Sequence, residues 1–534
     1  MTIRKARFAK GSFLFLFLLL IFVGCQSSSS SSGNYARINL GFEPHTLDPR
    51  KASETCSLSL MRMLFEGLTR IGPDDQPRLA LAKEVAISED LKTYTFTLRS
   101  SLWSNGDPLS ASDFVYSWRK VLTPSFLSGG GEKFYVIKGA REIVEGILPL
   151  EKLGVRAEGD HTLIVELVSP TPYFLDLVSN PIFFPVNPEV EKGNAQWTEK
   201  IESYVCNGPF VPTKWRHHDI FTVEKNPTYW DEPHVALKGI EMVMVDSDTE
   251  LKLFEKGKLH WAGSPLSTLS VDSLAYLKKN MPLKILPIAG SRYLRVNTAE
   301  GPLTSKKIRR ALALAIDREG IVEHVTQGGQ LAATGFVPPS FHLKESPYFE
   351  SGNLEEAQAL FQEGLDELGI EKISPLTLTY ASAERTHLTA QVLQQEWNHA
   401  FGIQVKLQAV ELKVYFDLVH REEYELALSS WFADYNDPIG FLEKFTYKGH
   451  SSNNTGWEDP HFADLIHASR QERDSKSRLK LLAESEEILI DAMPIIPLYH
   501  YTMLYLEDES LQGVFLSRLG TLDFKWATLD NAKQ

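Results

Sequence analysis

From Asn34 to its C-terminus the chain contains no linker and no internal repeat. That body is roughly 500 residues long, more than one hydrophobic core usually sustains, so two or three domains are expected. Domains without visible linkers are domains that the chain visits more than once. Helix and strand patterns alternate along it. Residues 35–40, 93–99, 162–167, 376–380, 404–410 and 495–505 read as strands, and 57–68, 306–317, 386–401 and 477–489 as helices. A further helix starts at Ser110-Ala-Ser-Asp113, with Ser110 or Ser112 as its cap. Strand, helix, strand over 376–410 predicts a βαβ unit and an α/β fold.

The N-terminus predicts export. Arg4, Lys5, Arg7 and Lys10 precede an apolar run of eleven residues, 13–23. The run is shorter than the ~20 residues that span a bilayer and fits a signal peptide over 1–24. It stops at Gly24-Cys25, which resembles a bacterial lipobox with Phe22 in place of the usual Leu. Cys25 is then expected to be lipidated and to become the first mature residue; the alternative is an ordinary signal peptide with an incidental cysteine. Gln26, six serines, Gly33 and Asn34 follow. Such a stretch buries no apolar surface, so 25–34 reads as a flexible tether. No later segment is long and apolar enough to cross a membrane.

Losing the four N-terminal cations moves the formal charge from −14 to −18. That argues against nucleic acid or another polyanion as the main partner. Cys56 and Cys206 remain, and the sequence leaves their pairing open. Motifs for zinc proteases, serine hydrolases, nucleotide loops and redox cysteines are all missing. His217-His218-Asp219 reads as an exposed polar turn, and His420-Arg-Glu-Glu423 as a solvated helix end or turn. No catalytic residue, metal or cofactor is expected.

One motif carries chemistry. Residues 424–430 alternate like a strand and run into Trp431-Phe-Ala-Asp-Tyr-Asn-Asp-Pro438. Asp434 therefore sits where a strand ends, among aromatic residues. A carboxylate held there needs a cation or a capping role. Composition alone leaves a ligand-binding aspartate and a turn cap equally open.

A longer string decides between them. Tyr94-Thr-Phe-Thr-Leu-Arg99 followed by Trp103-Ser-Asn-Gly-Asp-Pro-Leu-Ser-Ala-Ser-Asp-Phe-Val-Tyr-Ser-Trp118 resembles the signature of solute-binding proteins that serve bacterial peptide importers of the ATP-binding cassette type. The resemblance covers nearly the whole mature chain. It runs through Thr46-Leu-Asp-Pro49, Leu64-Phe-Glu-Gly-Leu68, Asn207-Gly-Pro-Phe210, Asn226-Pro-Thr-Tyr-Trp230, Asn297-Thr298, 308–318, Val337-Pro-Pro339 and Ser452-Asn-Asn-Thr455. WFADYNDP itself is similar to the ligand-site motif of the oligopeptide-binding branch.

The resemblance implies a periplasmic-binding-protein-like fold (class II, cluster C): three interleaved domains in two lobes that close by a hinge. Domain I is expected at 35–73, 188–286 and 503–534, domain II at 74–187 and domain III at 287–502. Asp434 then pairs with a peptide's α-ammonium. Residues 424–430 offer backbone from one lobe and 52–57 from the other, through Ser53 and Thr55. Trp431 walls a side-chain pocket, with Ser430, Phe432 and Ala433 beside it. Tyr501 matches an aromatic of the returning strand, and His387 a histidine near the end of longer ligands. Two departures stand out: Val419 and Leu428 occupy positions where the branch carries arginines for the ligand carboxylate, and Leu412 replaces a tryptophan. Arg421 and Arg385 lie nearby in sequence.

The function expected is a monomeric, lipid-anchored receptor on the extracytoplasmic face of the membrane that delivers oligopeptides to importer permease subunits. The alternatives are another solute in the same fold (a cell-wall peptide, a metal chelate or haem), a hydrolase working through Ser, His and Asp, and a chaperone or adhesin.

Overall fold

The computed structural model describes residues 34–530. The signal segment, Cys25 and the serine run lie outside the described residues. Among the described residues the largest sheet has eleven strands. Ten follow the order Val405–Val410, Leu376–Ala381, Leu426–Phe432, Lys284–Val296, Ile495–Glu507, Trp261–Gly263, Tyr35–Asn39, Gly239–Val243, Ile220–Lys225 and Phe210–Arg216. The eleventh, Leu331–Ala332, pairs beside Ile495–Glu507.

Two strands of thirteen residues, Lys284–Val296 and Ile495–Glu507, carry the sheet from one lobe to the other. Their first and last parts pair with different neighbours. Residues 290–296 pair with the strand Leu426–Phe432, whereas 505–507 pair with Trp261–Gly263. Between these ends the register slips after the pair Pro287 and Thr502, and pairing resumes at Ser291 and His500. Pro287 has no N–H to give a ladder, so an irregular crossover is where a central strand tolerates it. The expected boundaries 286/287 and 502/503 fall inside these two strands.

Residues 74–187 carry a second, antiparallel sheet in the order Ala82–Ile87, Thr93–Leu98, Thr162–Glu166, Val155–Glu158. The helix Ala111–Val121 belongs to the same unit. Its cap is Ser110, whose N–H donates to Asp113 Oδ2 at 3.1 Å. Its buried face adds Trp118 to Phe134 and Phe183, with ring centroids 5.8 and 5.5 Å away.

Three sequence expectations shift. The helix read at 57–68 is Thr55–Leu64. It stops because Glu66 turns inward as a fully buried hub. Glu66 accepts Arg70 Nε at 2.9 Å and Tyr229 Oη at 2.7 Å, and also accepts Trp230 Nε1. Lys525 Nζ lies 3.7 Å away. Two of the resemblance motifs, 64–68 and 226–230, thus meet on one carboxylate. The strand read at 424–430 is Leu426–Phe432, so Trp431 and Phe432 lie on it. Lys284–Val296 carried no strand expectation, because Pro287, Gly290 and two arginines break its alternation. The read βαβ unit forms: Leu376–Ala381 and Val405–Val410 are parallel neighbours joined by the helix Glu384–Phe401.

Cys56 and Cys206 are buried free thiols. Burial pushes the Cys206 thiol up to about 12 and raises Cys56 as well. Both are therefore poor nucleophiles.

Candidate functional site

The strand Leu426–Phe432 is paired along its whole length with Lys284–Val296. On its other side it pairs with Leu376–Ala381 only at Leu426 and Ala427. From Leu428 onward that edge has no strand neighbour among the described residues. The direction of the free groups follows from the next residue. Ala433 N–H donates to the Ala289 carbonyl of the long strand at 2.9 Å. Backbone groups alternate between edges, so the N–H and C=O of Ser430 and Phe432 point to the unpaired side. Extended backbone can dock there.

Asp434 stands at the end of this edge. The Ala433 bond ties it to the crossover, and the segment after it is pinned to the other lobe. Asn436 N–H donates to Asp176 Oδ1 at 2.8 Å, and Tyr435 stacks on Tyr173 with centroids 4.0 Å apart. Burial pushes the Asp176 carboxyl up to about 7. Asp437 forms a forked ion pair with Arg478, at 2.7 and 2.8 Å. Asp437 is thus structural, whereas Asp434 keeps a half-exposed carboxylate, 49% accessible. Its cation in this structure is Lys133, whose Nζ lies 2.9 Å from Oδ1. Lys133 belongs to the stretch 74–187, so this ion pair joins the two sides of the cleft.

Beside the pair lies a cavity of about 490 Å³ lined by Lys133, Tyr135, Trp431, Asp434, Lys444 and His450, among others. Trp431 is locked as its wall by Nε1 donating to the Gly440 carbonyl at 2.9 Å. Lys444 Nζ sits 3.4 Å over its ring. Burial drives the Lys444 ammonium well below its ordinary value, and Arg295 adds to the effect.

The structure gathers most of the expected residues. Ser430 Oγ lies 2.8 Å from Tyr501 Oη, and the Phe432 ring packs on Tyr501 at 4.8 Å. Trp431, Ala433 and Asp434 continue the same edge. His387 is one residue beyond Thr386, which is linked to Ser430 through Arg292, and its Nδ1 lies 2.6 Å from Tyr380 Oη. Ser53 and Thr55 stand apart. No hydrogen bond among the described residues connects them to 430–434. Thr55 opens a helix, so from there the backbone offers first-turn N–H groups rather than a strand edge. Val419 and Leu428 are buried packing residues, the first among Tyr415, Tyr424 and Ala427, the second opposite Leu294. Arg421 caps the far end of the helix Leu412–His420, and Leu412 is exposed at that helix's start.

Sequence reasoning missed Lys133, Arg292 and Lys444. Each gains its meaning from a partner distant in the chain, and Lys133 and Lys444 read as ordinary polar positions in their own segments.

Comparison with known proteins gives the family and the fold. Residues 76–453 match the model of bacterial extracellular solute-binding proteins, family 5. The oligopeptide-binding protein OppA of Bacillus subtilis is 41% identical over 497 residues, 91% of each chain. The dipeptide-binding protein DppE of the same organism is 36% identical over 499 residues, 92% of this chain and 91% of the relative. Among solved structures, the murein tripeptide-binding protein MppA in its unliganded open form superposes with a TM-score of 0.84 at 28% identity, over 94% of this chain and 99% of the other. OppA of Listeria monocytogenes bound to peptide gives 0.71 at 28% identity, over 94% and 100%. These are substrate-binding proteins, not enzymes, with the two-lobed α/β fold described above. The chain belongs to family 5 of the bacterial extracellular solute-binding proteins.

Proposed function

We propose that this protein binds peptides by their main chain and ammonium and delivers them to an ATP-binding-cassette importer from a lipid anchor at Cys25. The observation that carries the reading is the unpaired edge at 428–432 ending in the Asp434 carboxylate. An edge strand reads what every peptide shares, and one fixed charge sets the register. The names of the relatives, which bind oligopeptides, dipeptides and murein tripeptide, support the same class of ligand. Peptide-bound relatives support it too. A cell-wall-derived peptide is the second reading. It is favoured by the missing arginines at Val419 and Leu428 and by the likeness to MppA.

Native mass spectrometry of protein purified without denaturation tests the proposal. A family of co-purified peptide masses is expected; one defined mass favours the cell-wall reading, and no bound peptide under any preparation contradicts both.

The structure is read as open. The higher TM-score to an open form than to a peptide-bound relative supports this. The division into domain I (35–73, 188–286, 503–534), domain II (74–187) and domain III (287–502) is proposed with it, the two long strands acting as the hinge. A saturating peptide should therefore shrink the particle in small-angle scattering. Identical profiles with and without peptide would count against closure.

The anchor has its own test. Cys25→Ser should release the protein from membranes or block its processing. A mutant that fractionates with membranes as the parent does would refute lipidation at Cys25. More than one acyl chain is needed for firm anchoring, since each buried methylene contributes only about 0.8 kcal/mol.

A further inference from the structure

A peptide held at Asp434 by its ammonium also presents a carboxylate, and neither Val419 nor Leu428 can meet it. We propose that Arg292 holds the terminal carboxylate of a ligand about four residues long; this rests on the peptide-binding reading above.

Arg292 lies on the long strand Lys284–Val296, directly opposite Ser430 on one side and Tyr499 on the other. Residues directly opposed across a ladder share a face of the sheet. The guanidinium thus stands on the face that carries Ser430 and Phe432. Leu428 occupies the same face opposite Leu294, so Arg292 is its diagonal neighbour on the next strand.

The guanidinium is oriented but not neutralised. Nη1 donates to Ser430 Oγ at 3.0 Å and Nη2 to Thr386 Oγ1 at 3.3 Å, both uncharged hydroxyls. Its Nε is buried without a hydrogen-bond partner. No carboxylate among the described residues pairs with it. Arg62 and Arg119 also have a buried Nε without a hydrogen-bond partner; what sets Arg292 apart is its place beside the unpaired edge at 428–432. A second cation and a carboxylate, Arg385 and Glu384, stand together nearby. Arg385 is exposed at the start of the helix Glu384–Phe401, which has no side-chain cap. Burial raises the Tyr499 phenol, and Arg292 and Arg385 both act against that rise. Arginine suits the role because its planar fork matches a carboxylate.

Distance along the edge gives the length. From Asp434 back to Ser430 is four steps of ~3.3 Å, or ~13 Å. An extended peptide covers that span with about four residues.

The test uses alanine peptides of two to six residues, each as free acid and as C-terminal amide, measured by calorimetry. The proteins are the parent, Arg292→Gln, Arg292→Lys and His387→Gln. Amidation should weaken the tetrapeptide about 10- to 100-fold in the parent, the loss of a charge-assisted pair. The cost should be smaller at two and six residues. Arg292→Gln should bind acid and amide alike, and Arg292→Lys should retain part of the difference. Equal affinity for acid and amide in the parent overturns the assignment without any variant. An amidation cost that persists in Arg292→Gln but disappears in His387→Gln also overturns it, giving the carboxylate to the histidine. Peptides that bind with no carboxylate preference refute Arg292 alone, whereas failure of every peptide to bind removes the peptide reading itself.

Discussion

Asp434→Asn should lower the affinity for an unmodified tetrapeptide by roughly 200- to 5,000-fold. The substitution keeps the shape and removes the charge. The ammonium pair is buried once the lobes close on the ligand; breaking one side of a buried pair costs about 3–5 kcal/mol, and ~1.4 kcal/mol is a decade in affinity. The structure sharpens this expectation, because the carboxylate is already engaged by Lys133 at 2.9 Å. A ligand ammonium must displace Lys133 or share the carboxylate with it. With the carboxylate gone, ammonium and Lys133 face each other as like charges, which places the loss toward the upper end of the range. Lys133→Met should act in the opposite direction and weakly. A half-exposed ion pair contributes about 0–1 kcal/mol, so removing the competitor should raise affinity by no more than about fivefold. Affinity falling in Lys133→Met would instead make the lysine part of the ligand's own site.

Glu66→Ala should destabilise the fold by about 3–5 kcal/mol, the usual cost of leaving buried cations without their partner. Glu66 is fully buried and holds Arg70 at 2.9 Å and Tyr229 at 2.7 Å. Arg70 would keep Asp523, and Lys525 would keep Asp231 at 2.9 Å, so the network loses its centre but not every contact. The segments it joins are distant in sequence, 64–70, 229–231 and 523–525, and they belong to the interleaved part of the chain. Urea unfolding followed by circular dichroism measures the loss. A change below about 1 kcal/mol would mean that the hub is replaceable by water or by rearranged side chains. Glu66→Gln should fall between the two, since it keeps the shape and one acceptor.

Local rules were legible where local physics decides. Ser110 and Asp113 capped the expected helix because a hydroxyl and a carboxylate three residues apart satisfy first-turn N–H groups in any context. Thr93–Leu98 formed as read because its alternation buries Tyr94, Phe96 and Leu98 on one face. The helix at 55–64 ended early for a reason no window shows: Glu66 is held by Tyr229 and Trp230, far along the chain. The crossover strand 284–296 was unreadable for a related reason. Proline, glycine and arginine argue against a central strand, yet Pro287 sits at the register slip, Gly290 lies against the Phe432 ring, and Arg295 is buried against the Ser452 and Asn453 carbonyls. At the site, Asp434 stood out because a charge between aromatics at a strand end is locally anomalous. Arg292 did not, because Ser430, the partner that reveals its place, is 138 residues away.

The central claim is that Asp434 recognises the ligand's ammonium across a strand-like docking edge. Calorimetry on four combinations measures it: parent and Asp434→Asn, each with a lysine-free peptide carrying a free or an acetylated N-terminus. Acetylation should cost the parent about as much as the mutation does, and in Asp434→Asn the two peptides should bind more nearly alike. The coupling energy is then large, of the order of the 3–5 kcal/mol expected for the pair. A folded Asp434→Asn that weakens both peptides equally, with coupling near zero, would contradict the account and leave Asp434 as a turn residue paired only with Lys133.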